Sequence, residues 1–203
     1  MPTSAEAGAA RPPARPRGRP SGSDGGATRA RLVAAAHAAC LEVGFDAVTL
    51  ADIAARAGVT AAAVYNHFAD KDALLFEAGR RALEELTAGA VGSLDRVRTA
   101  REIAEGYLAP SLAAERRLLL QIHSAGDRDP ELRRLLGDWH RRSADDLRPL
   151  LPAGAGDPVT VFKAFYLVLL GCCHLEQLEA LDAPPARLSA TVGDLVDALF
   201  GGP

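Results

Sequence analysis

Five side chains able to donate hydrogen bonds fall between residues 60 and 71: Thr60, Tyr65, Asn66, His67 and Lys71. They are not spaced as a nucleophile with its base, and the chain has no Gly-rich phosphate loop or HExxH pattern. As a set they suit recognition. Tyr65 and His67 can donate to phosphate oxygens, and Lys71 adds a point charge. The carboxamide of Asn66 can pair with an adenine edge, and Thr60 can touch a base or a thymine methyl. The methyls of Ala61 and Ala62 can pack on thymine, and their small size lets a helix sit deep in a groove. Good bidentate base contacts discriminate by only about 1–3 kcal/mol each, so one asparagine needs support from elsewhere.

The elements around these residues read as helices. A first helix is expected over Thr28–Val43, with Leu32, Val33, Ala36 and Cys40 on one side and Gly44 after its end. Thr49-Leu-Ala-Asp52 fits a capping box, with Asp52 reaching back to the cap. Leu50, Ile53, Ala54 and Ala57 then form an apolar stripe, and Gly58 supplies a sharp turn. Thr60 caps a second short helix running to His67 or Phe68, and Asp70 caps a longer one. Two short helices with a glycine at the turn are a helix-turn-helix pattern.

The run Thr49-Leu-Ala-Asp-Ile-Ala-Ala-Arg-Ala-Gly-Val-Thr60, then Val64-Tyr65-Asn-His67-Phe68 and Lys71-Asp-Ala-Leu-Leu75, resembles the N-terminal domain of the tetracycline-repressor (TetR) family. The resemblance covers roughly residues 28–76 without gaps. It implies an all-α protein with a three-helix helix-turn-helix domain over 27–76 and a helical effector-binding and dimerisation domain over 77–203. It implies a homodimer bound to a palindromic operator and released by a small molecule, most simply as a repressor. The sign of regulation depends on operator position. By resemblance, Thr49, Thr60, Tyr65, His67 and Lys71 match positions that commonly touch the DNA backbone. Two positions depart from the family: Cys40 stands where a bulkier residue is common, and Ala61–Ala63 where larger or polar residues are common.

Charge is distributed to match. Formal net charge is −3, yet six arginines against one acid between residues 11 and 31 give a local +5, while residues 81–203 carry −4. A basic head on an acidic body points to a polyanion at the N-terminal end. Residues 1–26 hold five prolines and five glycines and too little apolar surface to order themselves. Within them Pro16-Arg-Gly-Arg-Pro20 resembles an AT-hook core, so Arg17 and Arg19 are candidates to enter a narrow minor groove. An architectural A·T-rich DNA-binding protein without an effector is the alternative reading.

Punctuation beyond Arg80 divides the body into five or six more helices. The last carries Leu188, Val192, Leu195, Val196 and Leu199 in one stripe, and the helix before it is apolar all round from Ala164 to Cys173. A dimer interface is expected on both, through those residues together with Val168 and Cys172. Candidate ligand contacts are Tyr107, Ile122, His123, Trp139, His140, Phe162, Phe165, Tyr166 and His174, which favour an apolar or aromatic effector. The three cysteines show no zinc or disulfide spacing. No cofactor, metal or catalytic residue is expected. The run Ala164–Cys173 is about half of what a membrane span needs, and the protein is expected in the cytoplasm.

Overall fold

The computed structural model describes residues 22–91, 99–151, 157–178 and 184–200, all α-helix, short 3-10 turn or loop, with no strand among them. Helix α1, Gly22–Val43, starts six residues before the expected Thr28. Once the Ala-rich run has nucleated a helix, extension through Gly25 and Gly26 costs only their weak propensity. The segment Pro16–Pro20, with Arg17 and Arg19, lies outside the described residues.

Helix α2, Leu50–Ala57, is started by Thr49, whose hydroxyl accepts from the Asp52 N–H at 3.2 Å. The reciprocal arm differs from a full capping box, because the Asp52 carboxylate takes the Thr49 hydroxyl proton rather than the cap's backbone N–H. Gly58 ends α2 at φ +66, a conformation that favours glycine. Helix α3, Ala61–Val64, is a single turn, shorter than expected. Beyond Val64 the bonds from Asn66 N to Ala63 O and from His67 N to Val64 O tighten the chain into a 3-10-like turn. Val64 and Phe68 are buried on either side of that turn. Cys40 is also buried, at 2% exposure.

Helix α4, Lys71–Val91, spans the expected boundary near residue 76 without a break. It is capped by Asp70, whose carboxylate accepts from Ala73 N at 2.8 Å. The body follows as α5 (Ala100–Tyr107), α6 (Ala113–Gly126), α7 (Pro130–Leu147), α8 (Pro158–Leu178) and α9 (Pro185–Phe200). Thr99 and Glu102 form a true capping box at the start of α5. One continuous hydrophobic core runs from Leu32 to Val196 through Ile53, Leu74, Leu86 and Ile122.

Helix α8 corrects the expectation about length. Val159–Leu178 is long and apolar enough, by length and composition, to cross a membrane. Within the fold its residues divide. Phe162, Phe165, Leu169 and Cys173 are buried, whereas Leu167, Leu175 and Leu178 are exposed.

Candidate nucleic-acid interface and ligand cavity

At one end of the molecule α2 and α3 present a row of open polar groups. Thr49, Thr60, Ala61, Ala62, Tyr65 and Asn66 are exposed, with Tyr65 at 60%, while His67 and Lys71 are half-buried. The side chains of Tyr65, Asn66, His67 and Lys71 make no hydrogen bond or ion pair with another described residue, so their donors are free for an external partner. The nearby Arg56 is different. Its guanidinium grips the Glu42 carboxylate at 2.8 and 2.5 Å, which ties α2 to α1 and holds the Glu42 carboxyl below its usual range. Arg29 is likewise engaged, lying 4.8 Å over the Phe68 ring and 2.7 Å from Glu77. It anchors α1 to α4 while its side chain stays 45% exposed.

At the other end a cavity of about 70 Å³ opens between α4, α5, α7 and α8. Tyr107, Trp139, Phe162, Phe165 and Tyr166 line it, which brings together five of the nine candidates. Sequence reading missed Thr87, Ser143 and Asp146, its polar contributors. Thr87 links cavity wall to ring, because its hydroxyl accepts from Trp139 Nε1 at 2.9 Å.

His123 and His140 stand behind the cavity instead of lining it. They form an aromatic cluster in which His123 Nε2 lies 3.0 Å from Tyr166 Oη, and His140 packs 4.4 Å from the Tyr166 ring. Burial pushes His123 below its ordinary range and His140 down to about 4, so both imidazoles are neutral near pH 7. The remaining candidates lie elsewhere. Ile122 is fully buried core between head and body, and His174 is exposed on α8.

Two unforeseen features fix Tyr107. Arg116, 1% exposed, donates to the carbonyls of Tyr107 and Ala109 and forms a two-point pair with Glu176. A buried guanidinium is tolerated because these acceptors replace its water. Beside it, a Cβ on Gly106 would stand 2.1 Å from Ala90 O, so α4 and α5 meet backbone to backbone. Cys173 Sγ approaches Tyr107 Oη at 3.4 Å, and burial raises the Cys173 and Cys40 thiols to about 11. Little thiolate is then present near pH 7, as suits buried packing groups.

The residues expected at a dimer interface separate into two sets. Val192 and Val196 are buried within the protomer, where α9 packs on α5, and Arg101 joins the two through Asp194 and Asp197. Val168, Cys172 and Leu188 are partly covered, and Leu195 is 50% exposed. The Leu199 side chain lies outside the described residues.

Comparison with known proteins agrees with this layout. The sequence profile of bacterial regulatory proteins of the tetR family matches residues 32–78. The HTH-type transcriptional regulator BetI of Rhizobium meliloti is 33% identical over 174 residues, covering 81% of this chain and 83% of that protein. Among solved structures, a TetR-family transcriptional regulator from Rhodococcus sp. superposes with a TM-score of 0.69 at 17% identity, over 86% of this chain and 98% of that one. The fatty acid degradation regulator FadR of Bacillus halodurans superposes at 0.63 and 15% identity, over 86% and 95% of the two chains.

Proposed function

Because the chain belongs to the TetR family of bacterial regulatory proteins, and is therefore a DNA-binding transcriptional regulator and not an enzyme, we propose that it is a dimeric repressor released from its operator by a small molecule. The observation that carries this reading is the row Tyr65, Asn66, His67 and Lys71 beyond the Thr60 cap, polar groups without hydrogen-bond or ion-pair partners among the described residues. Tyr65, His67 and Lys71, with Thr49 and Thr60, hold the phosphates and set the register. Asn66 reads a base, and Ala61 and Ala62 allow close approach to the groove floor. Arg17 and Arg19 add contacts in an adjacent A·T-rich minor groove.

The second copy sits on the exposed leucines of α8 and α9: Leu167, Leu175, Leu178 and Leu195. Covering this stripe with a symmetry mate removes apolar area from water and pairs two heads for two half-sites. It also accounts for the apolar length of α8 without a membrane, in keeping with a cytoplasmic protein. The effector is an apolar or aromatic compound held by Trp139, Phe162, Phe165, Tyr166 and Tyr107. Helix α4 gives that site a route to DNA, since it starts at Lys71 and ends at the cavity wall with Leu86, Thr87 and Ala90. Sequencing the duplexes retained by purified protein from a random pool tests the core of the reading. An inverted repeat supports it; enrichment of single sites or of no sequence overturns it.

A further inference from the structure

Besides the Arg29–Glu77 pair on α4, three polar contacts among the described residues join α1 and its exit loop to the body, and all three come from α6 or the turn after it. His37 Nε2 lies 3.1 Å from Glu115 Oε2, with both side chains nearly buried. The Phe45 N–H donates to Gln121 Oε1 at 2.7 Å. Arg128 reaches Asp46 at 3.3 Å, but that pair is open to solvent. The first two are about 9 Å apart along α6, from six residues at the helical rise. One contact would act as a pivot; two fix an angle.

The chain is shaped for the second contact. Gly44 N bonds to Cys40 O to close α1, and Gly44 then adopts φ +95. That left-handed step turns the Phe45 N–H toward α6. A Cβ on Gly44 would lie 3.2 Å from Gln121 Oε1, in addition to being strained at that φ. Phe45 is itself buried at 5% exposure. Four residues later Thr49 starts α2, so the direction taken at Gly44–Phe45 carries the whole α2–α3 unit with it.

We propose that Gln121, seconded by Glu115, is the positioning residue that sets the angle of the head on the body, and with it the half-site spacing this regulator accepts. The proposal rests on the dimeric binding mode above. Because Gln121 sits on the body and touches no DNA-facing side chain, its loss should alter where the heads point and not how each head grips its half-site.

The test uses the full-length protein and a series of inverted repeats whose spacer changes one base pair at a time, with a single half-site duplex as control. Gln121→Met keeps length and removes the acceptor, whereas Gln121→Glu keeps an acceptor for the Phe45 N–H. Wild type should show a narrow spacing optimum. In Gln121→Met the half-site affinity should stay within about twofold, while the preference for the best spacer over its neighbour falls about fivefold or more. Gln121→Glu should restore the wild-type profile. An unchanged profile in Gln121→Met overturns the proposal, as does a half-site affinity that falls in parallel, which would mean damage to the head itself. Failure of Gln121→Glu to rescue also overturns it. Wild type without any spacing preference sinks the dimeric reading instead.

Discussion

The head and the body use polar side chains in opposite ways. In the head Tyr65 and Asn66 are exposed and His67 and Lys71 half-buried, all four without hydrogen-bond or ion-pair partners among the described residues, at a turn between caps and two buried apolar residues. In the body Trp139, His123, Tyr166, Tyr107 and Arg116 are each tied to another named group, and the rings pack on one another around a small cavity. A surface that must meet a charged rod can leave its donors to water until the partner arrives. Around the cavity pairing relieves the cost of burying polar groups, with His140 Nδ1 the exception: it is buried without a hydrogen-bond partner among the described residues.

Five experiments can break or sharpen this contrast. Joint replacement Leu167→Asp and Leu195→Asp should leave each protomer folded and yield monomers in sedimentation. Operator affinity should drop by roughly 100-fold or more through loss of bivalency. Persistence of a dimer would move the interface off α8 and α9. Ile122→Ala lies at the seam of the two regions and should cost about 2–5 kcal/mol. Calorimetry should show one transition lowered by on the order of 10 °C; two separate transitions would mean that head and body are independent.

In the head alone, Asn66→Ala should reduce preference for operator over random duplex by about tenfold per half-site without changing the melting temperature. Equal preference would remove Asn66 as a base reader. Removing residues 1–21 should weaken binding and flatten its dependence on salt, by about one unit of log–log slope per lost phosphate contact. The smallest effect belongs to the body. His123 and His140 are held neutral when folded and regain ordinary basicity when unfolded. The unfolded chain therefore binds more protons between about 6.5 and about 4. Stability should be greatest above pH 6.5, decline as pH falls through that window and level off below it. A thermal-melt series should show a loss of a few °C, less in His140→Phe.

The head was legible because its signals are local. Thr49, Gly58, Thr60 and Asp70 each announce a helix end within four residues, and the structure uses all four. The same logic could have found the Thr99–Glu102 box at α5, a T-x-x-E pattern passed over in the sequence. The body was legible only as helices. Periodicity finds the apolar stripe on α9 but cannot say whether Val192 and Val196 face their own α5 or a second copy. Thr87, Ser143 and Asp146 meet only when α4 and α7 are packed, and no spacing along the chain foretells that. Arg116 is the extreme case: its type predicts the surface, and its position is the core.

The contact between Gly106 and the Ala90 carbonyl has a practical side. Two rods touching with nothing between them have no slack, so even a methyl at residue 106 must wedge them apart. Ala90 and Tyr107, the residue after Gly106, both line the cavity, so a wedge there would shift the chamber's wall and the Tyr107 ring with it. The close approach of α4 and α5 thereby sets the shape of the chamber as well as the packing of the two helices.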